Sequence, residues 1–336
     1  MRELVIILTD LYLGTEQPDA PAGWALPGLE QVGRFAAPQA LPGGWRAWVA
    51  GRIGRADLSH IAPARIAAVA AGGVHSPCWL AAPVHLSAGL SRVHLDHRGL
   101  LRLGAAEQGR LLASFARAFA GAPLQLAALP SGDFLLHASG IEALPGAEPA
   151  RSAGGELART LPGGSPALRR VWAEIEMWLH GEALNSERAQ RGLQRLTALW
   201  LWGAAGSEAP VTARVLAPAP AAFACEAYLA GLWRLHGLEC TDPPADVAAL
   251  LPLRAPCTVV ALSLAEALQR APHATFWQAL AGLDERFIAP ALAALRRGQL
   301  GELTLLANDR ALRVTRHALL RRWRRAAAGL ASLQWA

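Results

Sequence analysis

Two patterns of hydrophobic and polar positions recur along the chain, one typical of helices and one typical of strands. Apolar residues three or four positions apart mark one face of a helix, whereas short apolar runs indicate buried strands. The first pattern predicts helices at residues 29–35, 38–54, 61–71, 104–119, 172–179, 221–235 and 276–295. The second predicts strands at residues 4–8, 133–137, 199–202, 258–262 and 303–306.

Residues 79–103 follow a third pattern, in which alternating side chains surround a turn at residues 87–89. This arrangement predicts a β-hairpin. Residues 312–315 predict a second return strand, and residues 141–166 are so rich in Gly, Pro and Ala that we expect a loop or linker.

Strands that alternate with helices favour an α/β fold with a mostly parallel sheet and helices on both faces. We expect one domain over residues 1–336, with a smaller inserted subregion at about 79–166.

The stretch at residues 172–206 is the most specific part of the sequence. A helix with an apolar face is followed by Asn185 and Ser186, either of which can cap a second short helix. The apolar run at residues 199–202 then leads into the glycine-containing segment 203–206. Ligands in open α/β sheets lie at the carboxyl ends of strands, so this segment predicts a ligand site.

Composition narrows the class of protein. Hydrophobic residues make up 53% of the 336 residues, but no run of about eighteen apolar residues occurs, so no membrane span is expected. Glu3 and Asp10 interrupt the apolar start, which favours an opening strand over a signal peptide. We therefore expect a cytoplasmic location. Four scattered cysteines without a CxxC pair argue against a zinc site of the usual spacing and against disulfides.

The formal net charge is +6, and every basic residue other than histidine is arginine. This bias indicates a GC-rich coding sequence more than a nucleic-acid surface. The dense basic cluster at residues 316–325 is typical of a docked amphipathic helix, and binding of an anionic partner is the alternative.

Three groups of side chains could carry chemistry, and each has a structural alternative. The first group could hold a metal or move protons, or could be a solvated hairpin edge; it comprises His94, Asp96 and His97. The second could supply a nucleophile and base, or could be a polar loop; it comprises Asp57, Ser59 and His60. The third could bind a phosphate or carboxylate, or could pair with neighbouring glutamates; it comprises His180, Asn185, Arg188 and Arg191, beside Gly203.

The segment LHGEALNSERAQRGLQRLTALWLWGAAG, residues 179–206, carries a family resemblance. It resembles a pattern of His, Asn, two residues, Arg and Gly before a strand that ends in a glycine loop. That pattern belongs to the cofactor-independent phosphoglycerate mutases of the archaeal type, which are metal-dependent members of the alkaline phosphatase superfamily. The chain is also similar to proteobacterial mutase-like proteins, some described as regulatory protein RpfE. The resemblance implies an alkaline phosphatase-like core, two metal ions held by Asp and His, and a serine nucleophile.

Several positions depart from the family pattern. Asp10 matches the first metal aspartate, and Asp309 matches another, but Arg310 stands where the family has histidine. Residues 261–271 lack the Asp and His ligands of the corresponding family segment, and residues 56–60 are a doubtful counterpart of the serine segment. Two divalent ions need several anionic or imidazole ligands, and a fixed arginine charge repels a cation.

The leading hypothesis is therefore a non-catalytic, mutase-like binding or regulatory protein that needs no cofactor. Its partner would be another protein or a small phosphorylated ligand, and nucleic acid is disfavoured. The enzyme alternative is a divergent metal-dependent phosphoglycerate mutase or phosphatase that uses Mn or Zn on a small phosphate ester. Its candidate metal ligands are Asp10 and Asp309, and its catalytic candidates are Thr9, Ser59 and His60. A further alternative is an anionic-partner binder that uses residues 316–325.

Overall fold

The structure is a computed structural model that describes residues 2–13, 24–73, 77–89, 93–142, 144, 146–156, 165–206 and 211–320. The helices are α1 (Pro27–Phe35), α2 (Gly44–Arg52), α3 (Pro63–Ala70), α4 (Ala105–Ala118), α5 (Pro166–His180), α6 (Ala183–Gln190), α7 (Ala227–Leu235), α8 (Leu264–Arg270), α9 (Phe276–Leu283) and α10 (Ala289–Arg296). The strands are β1 (Glu3–Leu8), β2 (Ala37–Ala40), β3 (Cys78–Ala88), β4 (Val93–Leu100), β5 (Leu124–Ala128), β6 (Phe134–Ala138), β7 (Gly155–Glu156), β8 (Ala198–Ala205), β9 (Ala221–Phe223), β10 (Cys240–Thr241), β11 (Cys257–Leu262), β12 (Glu302–Ala307) and β13 (Arg310–Thr315).

The chain divides into two compact units, each built from separate segments. The first comprises Met1–His60, Arg214–Cys225 and His236–Ala336, and the second comprises Ile61–Ala213 and Glu226–Leu235. The predicted subregion at about 79–166 falls inside the second unit.

A seven-stranded sheet in the order β10-β9-β11-β1-β12-β13-β2 forms the first unit. The strands from β10 to β12 are parallel, and β13 and β2 are antiparallel additions. Every residue of the central strand β1 is buried, as expected for a parallel strand that is covered on both faces. The predicted α/β fold with a mostly parallel sheet and surrounding helices is confirmed.

The helical segment at residues 276–296 contains a π-helical turn between α9 and α10, at Asp284–Ile288. The amide of Ala289 bonds to the carbonyl of Asp284, five residues earlier. Pro290 follows directly and has no N–H to donate, so a regular α-helical ladder cannot continue through this point.

Asp284 in this π-turn caps a distant helix. Its carboxylate accepts hydrogen bonds from the amides of Gly28 (2.8 Å) and Leu29 (2.7 Å) in the first turn of α1. Those amides have no partner within their own helix, and the positive end of the helix favours the negative charge. Burial raises the pKa of Asp284, and the two amide hydrogen bonds oppose that shift.

The second unit contains an antiparallel sheet in the order β5-β6-β3-β4-β7, and β8 also pairs with β3. The pairing of β3 with β4 confirms the predicted hairpin, although β3 continues to Ala88, inside the predicted turn. Trp79 and Trp200 are fully buried in this unit, and the indole Nε1 of Trp200 donates to the carbonyl of Ala147 at 2.8 Å.

Three predicted elements need correction. Residues 221–223 are strand β9, and α7 begins only at Ala227, because three apolar residues without a period suit a short strand as well as a helix. Residues 37–40 form β2, and the helix predicted at 38–54 is limited to α2. Asn185 and Ser186 lie inside α6, whose N-cap is Glu182. Strand β5 had no clear sequence signal.

At the C-terminus, the basic cluster is only partly described. Residues 318–320 form a single 3₁₀ turn, and residues 321–336 lie outside the described part of the chain. The predicted basic helix and its arginines from 321 onward therefore stay a prediction. Within the described ranges, no helix has both the length and the apolar character needed to cross a membrane.

The substitution Gly28→Ala tests the contact between α1 and the π-turn. A Cβ atom at this position would lie 2.4 Å from Oδ1 of Asp284 and 2.6 Å from the nitrogen of Ala289. We expect the free energy of unfolding, measured in urea, to fall by about 1–3 kcal/mol. Gly51→Ala in α2 is the matched control, since no atom lies within 4 Å of its Cβ position. The control should be neutral or stabilising by up to about 1 kcal/mol, and equal losses in both variants would contradict the role of Gly28.

Candidate functional site

Asp10 lies two residues after the end of β1, at the carboxyl end of the parallel strands. Its carboxylate accepts hydrogen bonds from Oγ of Ser263 (2.7 Å) and from the amides of Leu264 (2.7 Å) and Ala265 (2.8 Å). The residue is 6% exposed. Both carboxylate oxygens are therefore bound at the first turn of α8, where unpaired amides and the helix dipole favour an anion.

The neighbours of Asp10 belong to the same capping arrangement. Ser263 is the N-cap of α8, and its Oγ also accepts from the amide of Glu266 at 3.1 Å. Thr9 is buried, and its hydroxyl donates to the carbonyl of Leu262 at 3.3 Å. These contacts give Thr9 and Asp10 a role in joining β1, β11 and α8. A catalytic role for Thr9 stays a prediction.

Asp309 lies in the tight turn between β12 and β13. Asn308 and Asp309 have φ values of 49° and 54°, the left-handed region that two-residue hairpin turns require and that Asn and Asp tolerate. Oδ1 of Asn308 accepts from the amide of Leu13 at 3.0 Å, and the carbonyl of Asp309 accepts from the amide of Leu41 at 2.7 Å. Arg310 begins β13. The Asn-Asp-Arg sequence is thus the connection of a hairpin.

Among the residues that the structure describes, the donor set around Asp10 and Asp309 does not fit a pair of Mn or Zn ions. Zinc takes four oxygen, nitrogen or sulfur ligands at about 2 Å, and Mn prefers an octahedral set of oxygen ligands. Across the described ranges, no group of three or more His, Cys, Asp or Glu residues is arranged to hold a metal ion. The carboxylate of Asp10 already accepts three protein hydrogen bonds, which use most of its acceptor sites.

Arg55 connects the second group of candidates to a buried network. Its guanidinium binds both oxygens of Asp57, at 3.0 Å from Nε and 2.9 Å from Nη2. This hydrogen bonding lowers the pKa of Asp57. Ser59 donates to the carbonyl of Ala56 at 2.7 Å, and both Ser59 and His60 are exposed. Asp57 is therefore engaged by Arg55, and a nucleophile–base role for Ser59 and His60 stays a prediction.

His236 completes the network and was not among the sequence candidates. Its Nδ1 lies 2.6 Å from the carbonyl oxygen of Arg214, which can only accept, so Nδ1 carries the proton. Nε2 then accepts from Nη1 of Arg55 at 2.9 Å. Burial lowers the pKa of His236, and the adjacent Arg55 charge lowers it further, although the hydrogen bond to Arg214 opposes the shift.

The side chain of Asn185 in the second unit connects two segments of the chain by hydrogen bonds. Its amide nitrogen donates to the carbonyls of Leu179 and Leu196, each at 2.8 Å, and its Oδ1 accepts from the amide of Leu196 at 2.7 Å. The residue is 8% exposed. Asn185 therefore ties the end of α5 to the residues that precede β8.

Arg188 is also held by protein groups. It is buried, its Nε donates to the carbonyl of Gln194 at 2.7 Å, and its Nη1 pairs with Glu107 at 2.7 Å. Arg191 is 63% exposed and lies 3.9 Å from the same glutamate, and His180 is exposed. Glu107 neutralises the charge of Arg188, which disfavours binding of an anion there. A ligand role for His180 and Arg191 stays a prediction.

Gly203 lies within β8, so the loop predicted at residues 203–206 begins later than expected. Gly203 has φ of +61°, and the register between β3 and β8 shifts there by one residue, which indicates a β-bulge. A Cβ atom would lie 3.1 Å from Pro63 of α3, so the glycine permits close packing. Because β8 is antiparallel to β3, the rule for ligand sites at the ends of parallel strands does not apply here.

Two of the hairpin candidates, Asp96 and His97, have contacts within the second unit. On β4, Asp96 accepts from the amide of Arg98 at 2.8 Å, and His97 is buried next to Gly154.

All four cysteines are free. Burial, together with the charge of Glu3, raises the pKa of Cys257 to about 12, so this thiol stays protonated at neutral pH.

A cavity of about 340 Å³ in the first unit brings together residues that the sequence did not single out. It lies beside the carboxyl end of β11, and its polar lining includes Ser263, Glu266, Arg270, Gln278 and Arg286. The arginines belong to separate helical segments sixteen residues apart, so no local motif reports their proximity.

Comparisons with known proteins found distant similarity to solved structures. No protein-family model matches the chain, and no curated protein matches it. A cofactor-independent phosphoglycerate mutase from Thermoplasma acidophilum DSM 1728 is 15% identical over 94% of this chain and 90% of that chain, with a TM-score of 0.36. The PH0037 protein from Pyrococcus horikoshii is 12% identical over 94% of this chain and 87% of that chain, with a TM-score of 0.44. At these values the matches assign no activity, ligand or residue role to the chain.

The lowered pKa of His236 predicts a pH dependence of stability. Below the ordinary histidine pKa of 6.5, the unfolded chain binds a proton that the folded chain does not, so stability falls as the pH falls toward the folded pKa. Between pH 7.5 and 5.5 this group should remove up to about 1.4 kcal/mol. Urea unfolding at both pH values would show a smaller loss for His236→Gln than for wild type. Equal losses would contradict the assignment of a neutral buried His236.

Proposed function

We propose that this protein acts by binding, as a mutase-like α/β protein without metal-dependent catalysis. The observation that carries the proposal is the engagement of Asp10 at the start of α8, where a serine hydroxyl and two backbone amides occupy both carboxylate oxygens. The family resemblance makes this aspartate the first metal ligand. Its contacts here support a different role, that of a helix cap.

Three further features support the proposal. Asp309, the second matched aspartate, forms the turn of a hairpin with Asn308. Helix α8 lies where the mutases carry a metal-binding segment, and its residues include neither Asp nor His. Arg310 adds a permanent positive charge beside Asp309, which disfavours a cation at that position.

Binding would serve a regulatory role through a small anionic ligand or another protein. A ligand that binds only the folded state stabilises it in proportion to the logarithm of its concentration, so small molecules can control the lifetime or partner affinity of such a protein. This role is the one that the resemblance to regulatory mutase-like proteins implies.

Metal content and phosphatase activity test the proposal together. The protein is purified without chelator, incubated with Mn²⁺ and Zn²⁺, and passed through a desalting column before elemental analysis. We expect far less than one ion per chain, because the described donor groups do not form a coordination shell. Activity toward 4-nitrophenyl phosphate and 3-phosphoglycerate should equal the rate without protein.

The test variants are Asp10→Asn and Ser59→Ala. They remove the candidate metal ligand and the candidate nucleophile of the enzyme alternative. Two bound ions per chain, together with phosphate-ester turnover that either variant abolishes, would overturn the proposal in favour of a divergent phosphatase or mutase. A rate that neither variant changes would indicate a contaminating activity, and the proposal would stand.

A further inference from the structure

The cavity at the carboxyl end of β11 has the composition of a small-molecule site. Its volume of about 340 Å³ lies near the lower end of the range of ligand pockets. Apolar side chains, among them Leu262, Leu283 and Phe287, form part of its lining. These residues are buried or nearly so, and they offer an apolar surface to one part of a ligand.

Arg286, in the π-turn after α9, supplies an available positive charge. Its Nε donates to the carbonyl of Gly282 at 3.0 Å, and its guanidinium lies 5.9 Å from the ring centre of Phe287. Among the described residues, its two terminal nitrogens have no carboxylate partner. A guanidinium with both terminal nitrogens available can bind a carboxylate or phosphate through two parallel hydrogen bonds.

The other polar groups of the cavity are partly engaged. Arg270 pairs with Glu266 one turn earlier in α8. Gln278 accepts from the amide of Thr275 through Oε1, so its NH₂ group is left as a donor. The two arginines and one glutamate together give the lining a charge of +1, which favours an anion.

The start of α8 also borders the cavity, but protein groups already accept hydrogen bonds from its first backbone amides. Asp10 occupies the amides of Leu264 and Ala265, and Ser263 occupies that of Glu266. An anion in the cavity would thus depend on the arginine side chains. This dependence makes the site testable by substitution of single side chains.

We propose that this cavity binds a small organic anion whose carboxylate or phosphate group pairs with Arg286 and whose apolar body packs against Leu283 and Phe287. The inference rests on the proposed binding function and names the class of ligand. Glu266 neutralises Arg270 and so weakens the binding of an anion. Removal of this carboxylate would make the charge of Arg270 available to the ligand.

Isothermal titration calorimetry with benzoate and with phenyl phosphate tests the site in the full-length protein. Benzyl alcohol is the neutral analogue, and inorganic phosphate is the anion without an apolar body. We expect both aromatic anions to bind, and both control probes to bind at least about tenfold more weakly, because each lacks one of the two contacts.

The substitution Arg286→Gln should weaken benzoate binding by about tenfold or more, which is the effect expected when a charge-assisted hydrogen bond is lost. Glu266→Gln should strengthen binding by a few-fold, since it removes the negative charge and releases Arg270. Arg297→Gln is the matched control, because Arg297 is exposed, lies outside the cavity and carries the same charge. Circular dichroism spectra confirm that each variant is folded.

The proposal is overturned if wild type binds neither aromatic anion, or if benzyl alcohol binds as tightly as benzoate. It is also overturned if Arg286→Gln and Arg297→Gln have equal effects, or if Glu266→Gln fails to tighten binding. Benzoate cannot be hydrolysed, so its binding is independent of any phosphatase activity. A phosphatase with an intact benzoate site would refute the proposed function alone, and an inactive protein without benzoate binding would refute the cavity alone.

Discussion

The hydrogen bonding of the Asp10 carboxylate to the start of α8 is the interaction on which the first unit depends. A carboxylate that is 6% exposed has lost most of its solvation, and this loss must be compensated by protein donors. The two amides and one hydroxyl that compensate it belong to residues about 250 positions later in the chain. The bond fixes the end of the central strand β1 against the helix that follows its neighbour β11, and it thereby positions one wall of the cavity.

Asp284 caps a helix in the same way, since its carboxylate accepts hydrogen bonds from two amides at the start of α1. Arg55 follows a related rule, since Asp57 and a neutral His236 bind its guanidinium. In each case a buried charge is matched by specific donors or acceptors and is already engaged. Charged groups that catalyse metal-dependent chemistry must instead be held ready for an ion or a substrate. Among the described residues of this unit, Arg286 at the wall of the cavity is a charge without a carboxylate partner.

The sequence predicted the elements whose signal is local. The apolar run of β1, the periodic helix α5 and the hairpin of β3 and β4 have the predicted type, because each pattern is contained within the element. The sites were harder to predict, because their contacts join distant residues. The contacts of Asp10 to α8 join residues about 250 positions apart, and Arg188 looked available although Glu107, 81 residues away, neutralises it. The bulge at Gly203 depends on pairing with β3, which no local pattern reports.

The central claim is that Asp10 stabilises the fold as a helix cap and does not serve as a metal ligand. The free energy of unfolding of Asp10→Asn, measured in urea with EDTA present, tests this claim most directly. A cap predicts a loss of about 1–3 kcal/mol relative to wild type, because the amide group of asparagine cannot replace the second oxygen acceptor. A metal ligand predicts that the metal-free variant is at least as stable as wild type, since a negative charge without its cation would have been removed. That second result, together with stabilisation of wild type by Mn²⁺, would contradict the account.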